Sequence, residues 1–166
     1  MGSNETVVEP MNESILVVDD DANVRKMLSS ILSDEGYIVE TVENGRQAIK
    51  VCEKEYFDLA LIDIELPDMK GTELLIELKN KWPKMIRIII TGSPTLDNAI
   101  KALNRGASGY VLKPFNVEEL LRMVRKHLDE RAAESFRVFA EKSKMEQRDA
   151  EFSEQFKKAK GSLFSH

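Results

Sequence analysis

The chain has 166 residues, 42% of them hydrophobic, which fits one domain of ordinary size with some length left over. Its 24 basic and 29 acidic residues leave a net charge of -5, which argues against direct contact with nucleic acid. The single cysteine, Cys52, excludes an internal disulfide framework, and no apolar run approaches the roughly 20 residues that span a bilayer.

Residues 1–12 carry neither a basic nor an apolar signal region and read as a flexible leader, so a cytoplasmic chain with no membrane partner is expected. Gly2 with Thr6 only loosely echoes an acylation pattern. Short β-branched runs then predict five buried strands: Ile15–Val18, Tyr37–Thr41, Leu59–Ile62, Ile86–Ile90 and Gly109–Leu112. Helical spacing fills the gaps. Val24, Met27, Leu28, Ile31 and Leu32 mark the first helix, and Ala48, Ile49 and Cys52 the second. Leu74, Leu75 and Leu78 mark the third, and Ala99, Ile100 and Leu103 the fourth. The fifth begins near Asn116 with Leu120, Leu121, Val124 and Leu128. Gly36 and Gly106 read as helix C-termini, Asn116 and Asp21 as N-terminal caps, and Asp58 as the cap of the turn before the third strand. Pro67, Asp68 and Gly71 read as turn residues. Cys52 reads as a small apolar helix residue, and His127 as a solvated or helix-end histidine.

Five strand–helix repeats predict an α/β fold, a doubly wound (βα)5 parallel sheet of flavodoxin-like order 2-1-3-4-5 over residues 13–130. Residues 131–166 contain no proline and no glycine before Gly161. Ala132, Phe136, Phe139, Phe152, Phe156 and Ala159 recur by threes and fours over parts of this tail, which predicts a helical extension with no heptad kept along its whole length.

The first strand runs directly into Asp19, Asp20 and Asp21, a repulsive cluster unless a cation or a partner charge sits among them. In a parallel sheet, chemistry gathers at the carboxyl ends of the strands. Those ends carry Asp19 and Asp20, Asp63, Thr91, and Lys113 before Pro114. Convergent carboxylates form a hard-oxygen site suited to Mg²⁺. Lys113 and Thr91 could meet phosphoryl oxygens, and Asp63 could act as a nucleophile that forms an aspartyl phosphate.

The stretches LVVDDDANVRKML, DLALIDIELPDMKG, IIITGS and GASGYVLKPFN, in this order and spacing, resemble the receiver domain of two-component response regulators. The resemblance implies that Asp63 is the phosphoacceptor. It implies that Asp19 and Asp20 position Mg²⁺, Asp20 more directly, with Asp63 and the backbone carbonyl of Glu65 completing the protein ligands. It implies that Lys113 contacts the phosphoryl group, that Thr91 moves towards it, that Tyr110 is the aromatic switch, and that the bond before Pro114 is cis. Gly92 leaves room for a donor. Glu65 and Ser93 stand where relatives tune phosphoryl lifetime.

The implied partners are a histidine kinase or a histidine phosphotransfer protein. The implied role is a signalling domain that assists its own phosphorylation and dephosphorylation and is otherwise no enzyme. The surface expected to change lies around the fourth helix, fifth strand and fifth helix, with Ala99, Lys101, Ala102, Tyr110 and Arg122. Output is left open between a standalone receiver, a homodimer through that surface or the C-terminal helix, and a fragment of a larger sensor or hybrid kinase protein. A phosphorylation-independent pseudo-receiver is the alternative. A phosphatase of the haloacid dehalogenase type fits poorly, because Asp63 lies in the third strand–helix unit rather than the first.

Overall fold

The computed structural model describes residues 12–165. The leader other than Asn12, and His166, lie outside the described residues. The elements run β1 (Ser14–Val18), α1 (Ala22–Asp34), β2 (Ile38–Val42), α2 (Gly45–Lys54), β3 (Leu59–Asp63), α3 (Gly71–Lys81), β4 (Ile86–Thr91), α4 (Leu96–Asn104), β5 (Gly109–Leu112) and α5 (Val117–Leu163). All strand pairs are parallel, in the order β2-β1-β3-β4-β5. Two compact units result, one ending at Leu128 and one beginning at Asp129.

The period-two alternation of the strands sorts their side chains to two apolar layers. Leu16, Val18, Ala60, Ile62 and Ile89 face the layer containing Ala48 and Cys52 of α2, and Leu74, Leu75 and Leu78 of α3. Ile15, Val17, Leu59, Leu61, Ile88 and Ile90 face Leu28 and Leu32 of α1, and Leu120, Val124 and Leu128 of α5. Covering both faces is what allows strands as apolar as LALID and IRIIIT to stay in water. Cys52 is buried, which pushes its thiol up to about 11 and makes it an inert packing group.

Three expectations need correction, and one residue does more than expected. Strand β2 begins at Ile38, because the N–H of Tyr37 still donates to Leu32 O at the end of α1. Gly36, at φ +93°, makes that chain reversal. Asp58 reaches further than the turn before β3: its Oδ2 accepts from the N–H of Ser14 at 2.8 Å and ties the start of β1 to the start of β3. In α4 the apolar pattern faces the other way. Ala102 is fully buried, whereas Ile100 and Leu103 are exposed. The small side chain lets the helix lie close to the sheet and turns the larger ones outwards. Ala102 therefore leaves the set of expected surface residues.

Arg87, inside the apolar strand β4, is buried and donates to three carbonyls: Met85 O at 2.7 Å, Gly106 O at 3.0 Å and Trp82 O at 3.3 Å. Burial pulls its pKa down from the ordinary value. The guanidinium fixes the loops that enter β4 and leave α4, a role its place in the sequence does not disclose.

Candidate functional site

The parallel register delivers the site. Val18 pairs with Ile62, Asp63 with Ile90 and Thr91 with Leu112, so the next residues of β1 and β5, Asp19 and Lys113, reach the same edge as Asp63. Carboxylate oxygens of Asp19, Asp20 and Asp63 lie within 4.8 Å of one another. Asp19 and Asp63 are buried and Asp20 is exposed. Lys113 Nζ donates to Asp19 Oδ2 at 2.8 Å and to Asp63 Oδ2 at 3.1 Å. The other oxygens are also held. Asp63 Oδ1 accepts from the N–H of Glu65 at 3.1 Å, and Asp19 Oδ1 from the N–H of Asp21 at 2.9 Å.

Three carboxylates face one ammonium, an excess of two negative charges. Burial raises the Asp63 carboxyl above its ordinary range, the Glu65 N–H and Lys113 oppose this, and the Asp19 charge adds to the rise. Burial would lower the Lys113 ammonium, but its hydrogen bond and charge contact with Asp19, reinforced by Asp63, raise it instead. Both directions describe a pocket that holds positive charge tightly. The donors are all hard oxygens, a set that fits a small divalent cation such as Mg²⁺.

The remaining expected residues are placed around this cluster. Thr91 is fully buried, its Oγ1 accepts from the N–H of Ser93 at 3.0 Å, and its carbonyl accepts from the N–H of Lys113 at 2.8 Å. Tyr110 packs against the α2–α3 side of the sheet, and its buried hydroxyl has no hydrogen-bond partner among the described residues. Burial raises its pKa. The Lys113–Pro114 peptide bond is cis. The Glu65 side chain is exposed and pairs with Lys70 at 2.8 Å. Gly92 is exposed next to Lys113. Asp21 caps α1, its Oδ1 accepting from the N–H groups of Asn23 and Val24.

Three supporting residues were not legible as such. Gly71 looked like a turn residue, yet a Cβ there would lie 2.2 Å from the carbonyl oxygen of Asp63. Only glycine lets the start of α3 press against the Asp63 peptide. Asp68 reaches across to the start of α2, accepting from the N–H groups of Gly45 and Arg46 at 2.9 Å each. Slight burial raises its carboxyl, but those two donors, joined by its own N–H and the Arg46 charge, hold it below the usual range. Arg25 Nη1 donates to Asp19 O at 2.8 Å and braces the carboxyl end of β1. The DDD and LPDMKG stretches flagged the region, but the pairings are between distant segments.

Comparison with known proteins agrees with this geometry. Residues 15–125 match the family model described as the response regulator receiver domain. Sporulation initiation phosphotransferase F of Bacillus subtilis is 36% identical over 118 residues, covering 71% of this chain and 95% of that protein. Regulatory protein AtoC of Escherichia coli is 36% identical over 114 residues, covering 69% of this chain and 25% of its own length. The chain thus spans about a quarter of the length of the first curated relatives it matches. Among solved structures, a CheY-like receiver domain protein of Methanospirillum hungatei superposes with a TM-score of 0.73 at 41% identity, covering 74% of this chain and 98% of that one. The beryllofluoride-activated NtrC4 receiver domain dimer superposes with a TM-score of 0.68 at 34% identity, covering 71% and 98%.

Proposed function

Because the chain belongs to the response regulator receiver family, we propose that Asp63 is the residue on which it carries a phosphoryl group. The observation that carries this reading is the placement of Asp63 at the carboxyl end of the central strand, with one oxygen anchored by a backbone N–H and the other beside Lys113. The donor is a phosphohistidine on a histidine kinase or a phosphotransfer protein. A carboxylate oxygen of Asp63 forms the new P–O bond, the P–N bond of the phosphohistidine breaks, and the released imidazole takes a proton from water.

Asp19, Asp20, Asp63 and the Glu65 carbonyl would hold Mg²⁺, which when bound neutralises charge on the transferring group. The protein groups do the positioning. Glu65 N–H fixes the rotamer of Asp63. The Lys113 ammonium, held by Asp19, supplies a point charge to a phosphoryl oxygen. Thr91, one residue beyond the pairing partner of Asp63, exchanges its bond to Ser93 for one to the phosphoryl group. Tyr110, one strand over on β5 and with a hydroxyl that is buried without a partner among the described residues, is the aromatic residue whose packing answers the change at Thr91. The readout is the surface of α4, β5 and the first turns of α5, including Ala99, Lys101, Tyr110 and Arg122. Exposed Leu96, Ile100, Leu103 and Leu112 extend it with an apolar patch that fits a protein partner or a second receiver.

Intact-mass measurement after incubation with Mg²⁺ and a small-molecule phosphodonor tests the reading. One added phosphoryl group is expected on the wild type and none on Asp63→Asn. Equal uptake by both proteins, or by neither, overturns the assignment.

A further inference from the structure

The second unit carries a self-complementary pattern that the receiver reading does not use. Every large apolar side chain of residues 129–165 is exposed, among them Met145, Phe152, Phe156 and Leu163. From Met145 the positions Asp149, Phe152, Phe156, Ala159 and Leu163 follow in steps of four, three, four, three and four, the spacing of a two-helix seam. The rings of Phe152 and Phe156 stack with centroids 6.5 Å apart, which places both on one face of the helix. Such a stripe on an otherwise polar helix is stable in water only when something covers it.

We propose that residues 145–163 of two copies of this chain pair as an antiparallel coiled coil. Charge decides both the partner and the direction. Residues 146–154 hold Glu146, Asp149, Glu151 and Glu154 against Arg148 alone, and residues 157–160 hold Lys157, Lys158 and Lys160. An acidic block followed by a basic block in one helix complements itself when a second copy runs the other way. The antiparallel register sets Phe152 against Phe156, Met145 against Leu163 and Asp149 against Ala159. It also sets Glu146 beside Lys160 of the second copy, twice by symmetry. A parallel pair would stack Asp149 on Asp149 and Lys142 on Lys142 in the seam, and set Glu141 beside Glu146. Among the described residues, no ion pair within the chain engages Glu146 or Lys160, so both are available to a second copy.

Sedimentation equilibrium of the full chain tests this, with the urea unfolding transition as the readout that each variant's receiver unit is folded. The inference stands apart from the chemistry at Asp63, and the two can fail separately. The wild type is expected to dimerise, and Phe152→Glu with Phe156→Glu to be monomeric. Glu146→Lys should weaken the dimer by about fivefold through two like-charge contacts, and adding Lys160→Glu should restore it. A wild type that stays monomeric up to about 100 μM overturns the proposal. So does a dimer that survives the double phenylalanine change. A dimer tightened by Glu146→Lys, which would relieve Glu141 in a parallel pair, also overturns it. Equimolar Met145→Cys and Leu163→Cys proteins should form the mixed disulfide, and self-pairing of each instead overturns the antiparallel direction.

Discussion

Phenylalanine behaves differently in the two units. Phe57, between α2 and β3, is 2% exposed and packed in the core, whereas Phe139 and Phe152 on the second unit are 68% and 70% exposed. In residues 12–128 the inner strands β1, β3 and β4 are buried on both faces, and the resulting order is accurate enough to bring groups from three strands to one carboxylate edge. In residues 129–165 the chain buries no large apolar group at all, and its helix is held by local hydrogen bonds and ion pairs such as Lys158–Glu154. One unit is a positioning device. The other is a surface that awaits something to cover it.

Substitutions sharpen this contrast, beginning with the largest effect. Arg87→Met should destabilise the receiver unit by about 3 kcal/mol in urea unfolding, because the buried carbonyls Met85 O and Gly106 O lose the guanidinium donor. A cost below about 1 kcal/mol would mean that water replaces the guanidinium there. Asp68→Ala should cost about 1 kcal/mol at neutral pH, as two N–H groups of α2 lose their acceptor. Its carboxyl is held below the ordinary value, so this contribution is present above about pH 4 and fades as the pH falls through the folded value. Stability curves of the two proteins should therefore converge in acid, and a constant gap would refute the linkage. Phe139→Ala, by contrast, should leave the unfolding of the receiver unit within about 0.5 kcal/mol of wild type, as the largest apolar truncation with the smallest consequence. A shift as large as that of a core leucine would show that the tail's aromatic residues support the first unit.

Much of this was legible in the chain. The five apolar runs and their helical partners predicted the order of elements and the strand order, because parallel strands and amphipathic helices leave periodic signatures. Asp19, Asp20, Asp63 and Lys113 could be picked out because strand ends in such a sheet converge. The register of β2 and the outward face of α4 were misread. Both depend on small offsets, one residue at Tyr37 and one helix face at Ala102, which hydrophobicity alone does not resolve.

The amino-acid sequence by itself determined which elements form, which residues carry charge at the strand ends, and that residues 129–166 hold a helix too polar to make a core. Local propensity and patterning act within a few residues, and the chain records them directly. The tertiary structure alone decided that Lys113 bridges Asp19 and Asp63, that Arg87 collects three carbonyls, that Asp68 caps a helix 22 residues away, and that Gly71 must lack a side chain. Each of these is a contact between distant segments. Its geometry exists only once the sheet has set their separation to within a hydrogen bond's tolerance.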